Sequence, residues 1–306
     1  MLQDLTFSAI RIATPLIFAS MGGLLTFKAG ILNIALDGFM IVAAFAAVVT
    51  AYLTGSLTLG VLAGVISSMA LAALLVTFNL RFRAHIFIAG IAVNFIAYGL
   101  TALLLEGLLG QQGIFTSSAI PRFPTIDIPV IGSIPLIGPV MSGHTLLVYL
   151  AYMTVPIVSF LLYRTQWGLR VRIVGEAEAA AAAAGVNVDL IKVQTMLASG
   201  FFCGLAGAYL SLGYVSLFAK QMTNDRGLIA VAAIIFAKGN PYATAVVALL
   251  FGLSTALSIR LPDLTGIAPQ LLQILPYLVT VLALVILGVR TAKNRSRHGS
   301  WNFDPS

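Results

Sequence analysis

Charge is scarce in this 306-residue chain: Asp, Glu, Lys and Arg make up 9% of it, against 59% for hydrophobic residues. Soluble domains carry roughly 25% charged residues, so a soluble fold is excluded, and with it a large soluble catalytic domain. Cysteine is nearly absent. Cys203 stands alone, so no disulfide forms within the chain and compartment is not readable from cysteine pairing. In its apolar run it reads as a small packing residue. The histidines, His85, His144 and His298, are scattered singly, and neither His-Glu-x-x-His nor another metal-ligand spacing occurs. There is no Gly-Lys dipeptide, hence no Walker A loop. Met1 to Ser8 hold Asp4 and no Lys or Arg, so no basic lead-in to a removable signal peptide is expected.

What the chain has in abundance is apolar length, with a mean hydropathy of +1.02. A helix crossing a bilayer takes about 20 apolar residues. Apolar runs fall at 8–26, 31–53, 57–79, 84–106, 144–163, 193–217, 228–237, 241–259 and 270–290. The expectation is one all-α transmembrane domain over 1–306, a polytopic membrane helix bundle of about eight to ten spans. Close-spaced glycines, Gly60 with Gly64 and Gly200 with Gly204 and Gly207, are expected to let helix backbones pack closely.

The net charge of +7 matters through its placement, because short basic loops stay cytoplasmic. Arg81 with Arg83, the cluster Arg164, Arg170, Arg172 and Lys192, and the tail Arg290, Lys293, Arg295 and Arg297 serve as inside anchors. Between the last two anchors the number of crossings must be even, so 228–237 and 241–259 go down and come back. Lys28 and Lys238 then also fall inside, leaving Arg122, Lys220, Arg226 and Arg260 outside and Arg11 within the first span. The organisation this predicts is a cytoplasmic loop at 164–192, an extracytoplasmic Pro-rich loop at 107–143, a cytoplasmic tail at 291–306 and an N-terminus outside.

Two runs are interrupted. The segment 228–237 is about half a bilayer thick at ~1.5 Å per residue and stops at Lys238-Gly239-Asn240-Pro241, a helix-breaking string. Non-helical backbone at membrane depth is tolerated where it is buried in protein or lines a wet cavity, so a half-helix beside the solute route is one reading and a short space-filling turn the other. The second is Ala29 to Gly38, which places Asn33 and Asp37 in an apolar run. An ionised Asp at a helix centre costs roughly 2.5–3.5 kcal/mol and needs a partner. At i, i+4 spacing the two would share a helix face and reach a neighbouring broken helix; bracing and solute contact are both open. Asn94 is a similar buried amide. Asn33, Asp37, Asn94 and Asn240 are the candidate translocation-pathway residues.

Within 164–192 a short helix is expected from Glu176 to Gly185. Glu176 and Glu178 suit a helix N-terminus, six alanines follow with high helix propensity, and Gly185 supplies the stop. Isolated helices of this length are marginal in water, so the smooth alanine face needs cover, from a partner protein or from the protein's own base. Glu176, Ala180, Ala181, Ala184 and Gly185 are the candidate docking residues.

These segments together resemble the permease subunits of bacterial ABC importers in the branched-chain amino acid, ribose and nucleoside superfamily, nearly end to end. The resemblance is carried by Thr14-Pro15-Leu16-Ile17-Phe18, by Ala29 to Ile34 with Asp37-Gly38, by Phe82-Arg83-Ala84 with Gly90 and Asn94, and by Ile128-Pro129 with Ile134 to Gly138. Gly168-Leu169-Arg170, Val174-Gly175-Glu176, Ala184 to Val188, Ser199-Gly200, Ile229-Ala230, Ala232 to Phe236, Asn240-Pro241 and Pro276-Tyr277-Leu278 complete it. The Asn-Pro pair, the Ile-Pro-rich loop and the Gly-Leu-Arg lead-in look most like the nucleoside and simple-sugar branch. Asp37 stands where the family usually has Glu, Ala35 where it has Gly, and Phe236 to Pro241 replaces Phe-Gly-Lys-Trp-Asn-Pro.

The resemblance implies a transport subunit in a bacterial plasma (inner) membrane, not an enzyme. It would pair with a homologous permease or with itself, dock two cytoplasmic ATPases and receive solute from an extracytoplasmic binding lipoprotein. ATP and Mg belong to the ATPase, and this chain is expected to hold no cofactor or metal. The few charges in the spans, Asp37 and Arg11, suit a neutral solute, a nucleoside in first place and a monosaccharide in second. From another class, an ion-coupled secondary transporter would use Asp37 as its proton or sodium site.

Overall fold

The computed structural model describes residues 2–126 and 142–265. The apolar run at 270–290, the tail at 291–306 that was expected to be cytoplasmic, the Ile-Pro motifs at 128–129 and 134–138 and Pro276-Tyr277-Leu278 lie outside them. Helices α1 (Leu2–Lys28), α2 (Leu36–Thr54), α3 (Leu57–Arg81) and α4 (Ile86–Leu109) come first. Short strands β1 (Ile114–Phe115), β2 (Thr125–Ile126) and β3 (His144–Thr145) follow. Next are α5 (Leu146–Arg164), α6 (Gln166–Glu176), α7 (Glu178–Ala183) and α8 (Val188–Ala208), the last continuing as a π-helix over Tyr209–Tyr214. Strand β4 (Phe218–Ala219), α9 (Arg226–Phe236) and α10 (Pro241–Thr265) complete the described chain. Seven of these helices are long and apolar enough to cross a membrane, and α9 is the short apolar one. The expected all-α polytopic bundle is what the structure has.

Burial sorts the helices into layers. The apolar window of α1 is 83% buried, against 28% for α4. α1, α2 and α8 form the centre, and α3, α4 and α5 turn residues such as Leu62, Phe95, Leu103 and Phe160 outward. Glycine makes the central contacts possible. A Cβ on Gly204 would stand 2.6 Å from Val65 Cα of α3, and one on Gly207 2.2 Å from the Met40 carbonyl of α2, so only hydrogen lets these backbones meet.

Proline shapes α1. Pro15 lies inside it and has no N–H to give the carbonyl of Arg11, one turn earlier. That carbonyl instead accepts from the Tyr209 hydroxyl at 3.1 Å, and the Ile10 carbonyl accepts from Thr14 Oγ1 at 2.8 Å and from the Tyr152 hydroxyl at 3.3 Å. Helices α5 and α8 are thereby tied to the outer third of α1.

The two ends of the bundle differ. At one, β1 pairs antiparallel with β4 and β2 with β3, and Phe7 of α1 stacks on His144 at 4.2 Å. At the other, Lys28 Nζ donates to the Lys238 carbonyl at 3.5 Å, and Gly175 is so close to Lys28 that a Cβ there would meet its carbonyl at 2.1 Å. Arg81 with Arg83 and the cluster Arg164, Arg170, Arg172 and Lys192 flank the helix ends on this second side, while the basic tail lies outside the described residues.

Candidate functional site

The short helix and the interrupted run at 29–38 expected from the sequence are both present, but the break that meets the latter in the middle of the bundle is the one before α9, whereas the expected break at 238–241 lies at the basic end. After α1 ends, residues 31–34 have no regular structure and α2 starts only at Leu36. After α8 ends, the chain passes through β4 and turns over 220–225 before α9 starts at Arg226. The N-termini of α2 and α9 converge, and a helix N-terminus carries about half a positive charge. Asp37 lies between them. Its Oδ1 accepts from Gly227 N at 2.8 Å, and its Oδ2 accepts from Thr223 Oγ1 at 2.7 Å and from the Tyr98 hydroxyl. Tyr98 is midway along α4, which sets the depth of this junction. The carboxylate is 1% exposed, and its cost is offset by donors on three elements and by two helix dipoles.

The amides serve the same break. Asn94 Oδ1 accepts from Gly38 N at 2.7 Å and Asn94 Nδ2 donates to the Ile34 carbonyl at 3.0 Å, so one side chain satisfies backbone groups on both sides of the helix start. Asn33 Oδ1 accepts from Ala35 N at 3.0 Å, and its Nδ2 donates to Ser199 Oγ of α8 at 3.2 Å. The expectation that Asn33 and Asp37 share a helix face is corrected. Asn33 precedes the helix, because the segment that brings α2 to mid-depth is extended and its backbone needs side-chain partners.

Asn240 belongs elsewhere. It is exposed at the basic end, and its Oδ1 accepts from Ala243 N at 3.2 Å, the pattern of a helix N-cap with Pro241 at the first helical position. The structure therefore separates it from Asn33, Asp37 and Asn94. Arg226, expected outside, is also corrected. It opens α9 at the junction, where its Nη1 donates to the Met222 and Thr223 carbonyls at 2.8 and 3.1 Å. The loop before α9 has to dip to mid-depth because α9 is only 11 residues long.

The expected helix from Glu176 to Gly185 is divided. Glu176 ends α6, Ala177 breaks the geometry at φ −150°, and α7 begins at Glu178. Gly185, at φ +79°, closes α7 with Gly185 N donating to the Ala182 carbonyl and Val186 N to the Ala181 carbonyl, both at 3.0 Å, a Schellman stop. Lys192 Nζ pairs with Glu178 at 2.8 Å. Ala181 is fully buried against the protein's own base, whereas Glu176, Ala180, Ala184 and Gly185 are exposed. The alanine run thus has one covered face, turned inward, and one open face.

Sequence reasoning missed Tyr98, Thr223, Gly227 and Ser199. Tyr98 follows Asn94 by four residues and so shares its face of α4, a signal that was available. Gly227 had none, since its need is set by Asp37: a Cβ there would lie 2.3 Å from Asp37 N.

A helix bundle of this length, with two broken crossings meeting at a buried polar junction, defines the class as a multi-pass membrane transport protein. Residues 5–284 match the family described as branched-chain amino acid transport system / permease component, and the chain belongs to it. It is 32% identical to a nucleoside ABC transporter permease of Lactococcus lactis subsp. cremoris over 93% of this chain and 92% of the relative. It is equally 32% identical to a guanosine ABC transporter permease of Bacillus subtilis, covering 89% and 88%. A putative glucose ABC transporter permease of Haloferax volcanii is likewise 32% identical, covering 94% and 92%. Permeases of this family are transport components rather than enzymes and work in general with ATPase and substrate-binding partners. The chain is a multi-pass plasma-membrane protein.

Proposed function

We propose that this chain is the membrane-spanning subunit of an ATP-driven importer for a nucleoside or related neutral solute, delivered by an extracytoplasmic binding lipoprotein. The observation that carries the reading is the near full-length similarity to permeases named for nucleoside and guanosine transport. The junction is consistent with it. Converging helix N-termini attract anionic groups of a solute, but here Asp37 already answers them, which suits an uncharged cargo. For the same reason an ion-coupled carrier gains no support, because both Asp37 oxygens already accept from protein donors. A monosaccharide is the second reading, favoured by the relative named for glucose.

The basic end is cytoplasmic in this reading, and a separate chain supplies the ATPase with its ATP and Mg; the permease pairs with a homologue or with itself. The open face of the short helix, with Ala180, Ala184 and Gly185, together with Glu176 before it, seats the ATPase. Closure of the ATPase pair then moves α6 and α7, which rest on the ends of α1 and α8, and alternates access to the solute route.

Coexpression with the adjoining genes tests this. The expected result is copurification of an ATPase, a second permease chain and a binding protein, with uptake in proteoliposomes that requires ATP. Uptake by this chain alone under an ion gradient would overturn it. Ala180→Arg and Ala184→Arg are expected to reduce ATPase copurification without loss of folded permease. Unchanged assembly and uptake in both would remove the docking role.

A further inference from the structure

Helices α3 and α4 are anchored to the centre of the bundle by different neighbours. Gly60 and Gly64 seat α3 on α2, where a Cβ on Gly60 would stand 2.8 Å from the Ala47 carbonyl. The first turns of α4 lean instead on the break before α2: a Cβ on Gly90 would meet Ala35 N at 3.4 Å, and Asn94 bonds Gly38 N and the Ile34 carbonyl. Toward the basic end their outer faces stand apart. A groove of about 320 Å³ opens there, lined by Leu74 and Phe78 of α3 and by Ile88, Ala92, Val93 and Ile96 of α4 among others. Apart from His85 its lining side chains are apolar. Leu74, Phe78, Ile88 and Ile96 are all exposed, so the groove opens sideways, toward the bilayer.

Its length selects the occupant. From His85 to Ile96 the lining runs about 16 Å at ~1.5 Å per residue, close to the hydrocarbon depth of one leaflet, which is half of roughly 30 Å. A groove made for the spanning helix of another protein would run about twice as far. The mouth is basic. Arg81 is the last residue of α3 and Arg83 follows in the turn, both exposed. That turn is fixed by Asn79 Nδ2, which donates to the Ala84 carbonyl at 2.9 Å, and by Ala84 N, which donates to the Phe78 carbonyl at 3.3 Å, with Arg83 at φ +52°. Two guanidiniums, whose planar forks match phosphate oxygens, therefore stand where the apolar groove ends.

We propose that this groove is a binding site for an anionic phospholipid of the leaflet at the basic end, with an acyl chain lying along α4 and the phosphate met by Arg81 and Arg83. Basic pockets between spanning helices on the cytoplasmic side bind anionic headgroups in this way. Moving an acyl chain from the bilayer into an apolar groove gains little, because lipid is as apolar as leucine. The groove thus sets the place and the arginines set the selectivity. The site is independent of which solute the chain carries.

The test is native mass spectrometry of the full-length chain, purified in detergent with any copurifying subunits and titrated with phosphatidylglycerol or phosphatidylcholine of matched acyl chains. Phosphatidylglycerol is expected to be retained at one per chain and at least fivefold better than phosphatidylcholine, and inorganic phosphate should not displace it. Arg81→Gln and Arg83→Gln should each weaken retention about fivefold, whereas Arg164→Gln, at another exposed position of the same end, should not. Ala92→Trp should fill the groove and abolish retention. Leu62→Trp, exposed on α3 outside the groove, should leave it intact. Equal retention of the two lipids, displacement by inorganic phosphate, an equal effect of Arg164→Gln, or retention untouched by Ala92→Trp would each overturn the site. A photo-reactive label on Ile88→Cys should capture lipid in the membrane; capture of a second permease chain, or of the run at 270–290, would show protein covering the groove and overturn it too. If Ala92→Trp yields no folded protein, the arginine variants and the label decide.

Discussion

The two breaks that meet at Asp37 are built in opposite ways. The first, between α1 and α2, is held by its neighbours: Asn94 from α4 and Ser199 from α8 reach in to bond its backbone and its Asn33. Apart from Gly30, no residue from 29 to 38 takes a left-handed conformation. The second, between α8 and α9, is tied outward by the pairing of β4 with β1 but also bonds within itself. Ser216, Gln221, Asn224 and Asp225 all have φ between 46° and 58°, and Met222 N and Asn224 N donate back within the segment to the Ala219 and Gln221 carbonyls. Arg226 folds over the preceding carbonyls. Left-handed non-glycine residues cost about 1–2 kcal/mol each, so the second break stores strain that the first avoids. The first depends on the bundle being assembled, while the second brings its own local structure to the junction.

Asp37 is where both depend on one group, so its loss is expected to have the largest effect. Asp37→Ala leaves Gly227 N, Thr223 Oγ1 and the Tyr98 hydroxyl without their acceptor, at about 1–3 kcal/mol for each group that water does not reach. Thermal unfolding of the purified complex should show a clear drop in midpoint, and uptake per folded complex should fall further. An unchanged midpoint would mean that the two breaks are not coupled through this residue.

Asn94→Ala strikes the first break only. Orphaning Gly38 N and the Ile34 carbonyl is expected to cost roughly 2–4 kcal/mol, at about 1–3 kcal/mol for each group if water does not enter. A homologous test of the second break is Thr223→Val, which removes one neutral-to-charged hydrogen bond and should cost less. If Thr223→Val proves the more damaging, the contrast between a braced break and a self-held one is wrong.

Asn240→Ala removes the cap of α10 at a distance from both breaks and should cost about 1 kcal/mol. Uptake normalised to folded complex should be unaffected, and a specific uptake defect would return Asn240 to the solute route.

The smallest and most discriminating effect is expected at Gln221. Gln221→Gly relieves left-handed strain of about 1 kcal/mol, partly offset by the extra freedom glycine gives the unfolded chain, for a net change within a few tenths of a kcal/mol of neutral or slightly stabilising. Leu32→Gly in the first break has no such strain to relieve and should lower the unfolding midpoint. Equal destabilisation by both substitutions would erase the distinction.

Parts of this were legible beforehand. Lys238-Gly239-Asn240-Pro241 announced the end of α9, and the position of Asn33 and Asp37 in an apolar run announced a polar junction. The alanine run and its flanking Glu176 and Gly185 predict one continuous helix; the structure breaks it at Ala177, two residues after Gly175, which sits against the end of α1. Ala181 was expected to face a partner, but alanines in a row are identical in sequence, and only packing decides which one is covered.

The sequence by itself determined the membrane class, the rough extent of the apolar helices among the described residues, the half-length of α9 and the family. All of these follow from hydropathy, residue spacing and local motifs, which act over a few turns of helix. The tertiary structure alone decided that Asp37 is answered by Thr223 and Gly227, respectively 186 and 190 residues away, that Asn94 braces a backbone on another helix, and that Asn240 caps a helix instead of joining them. A buried polar group must find its partners wherever packing brings them, and the partners of these groups come from helices far apart in the chain, so no local pattern could name them.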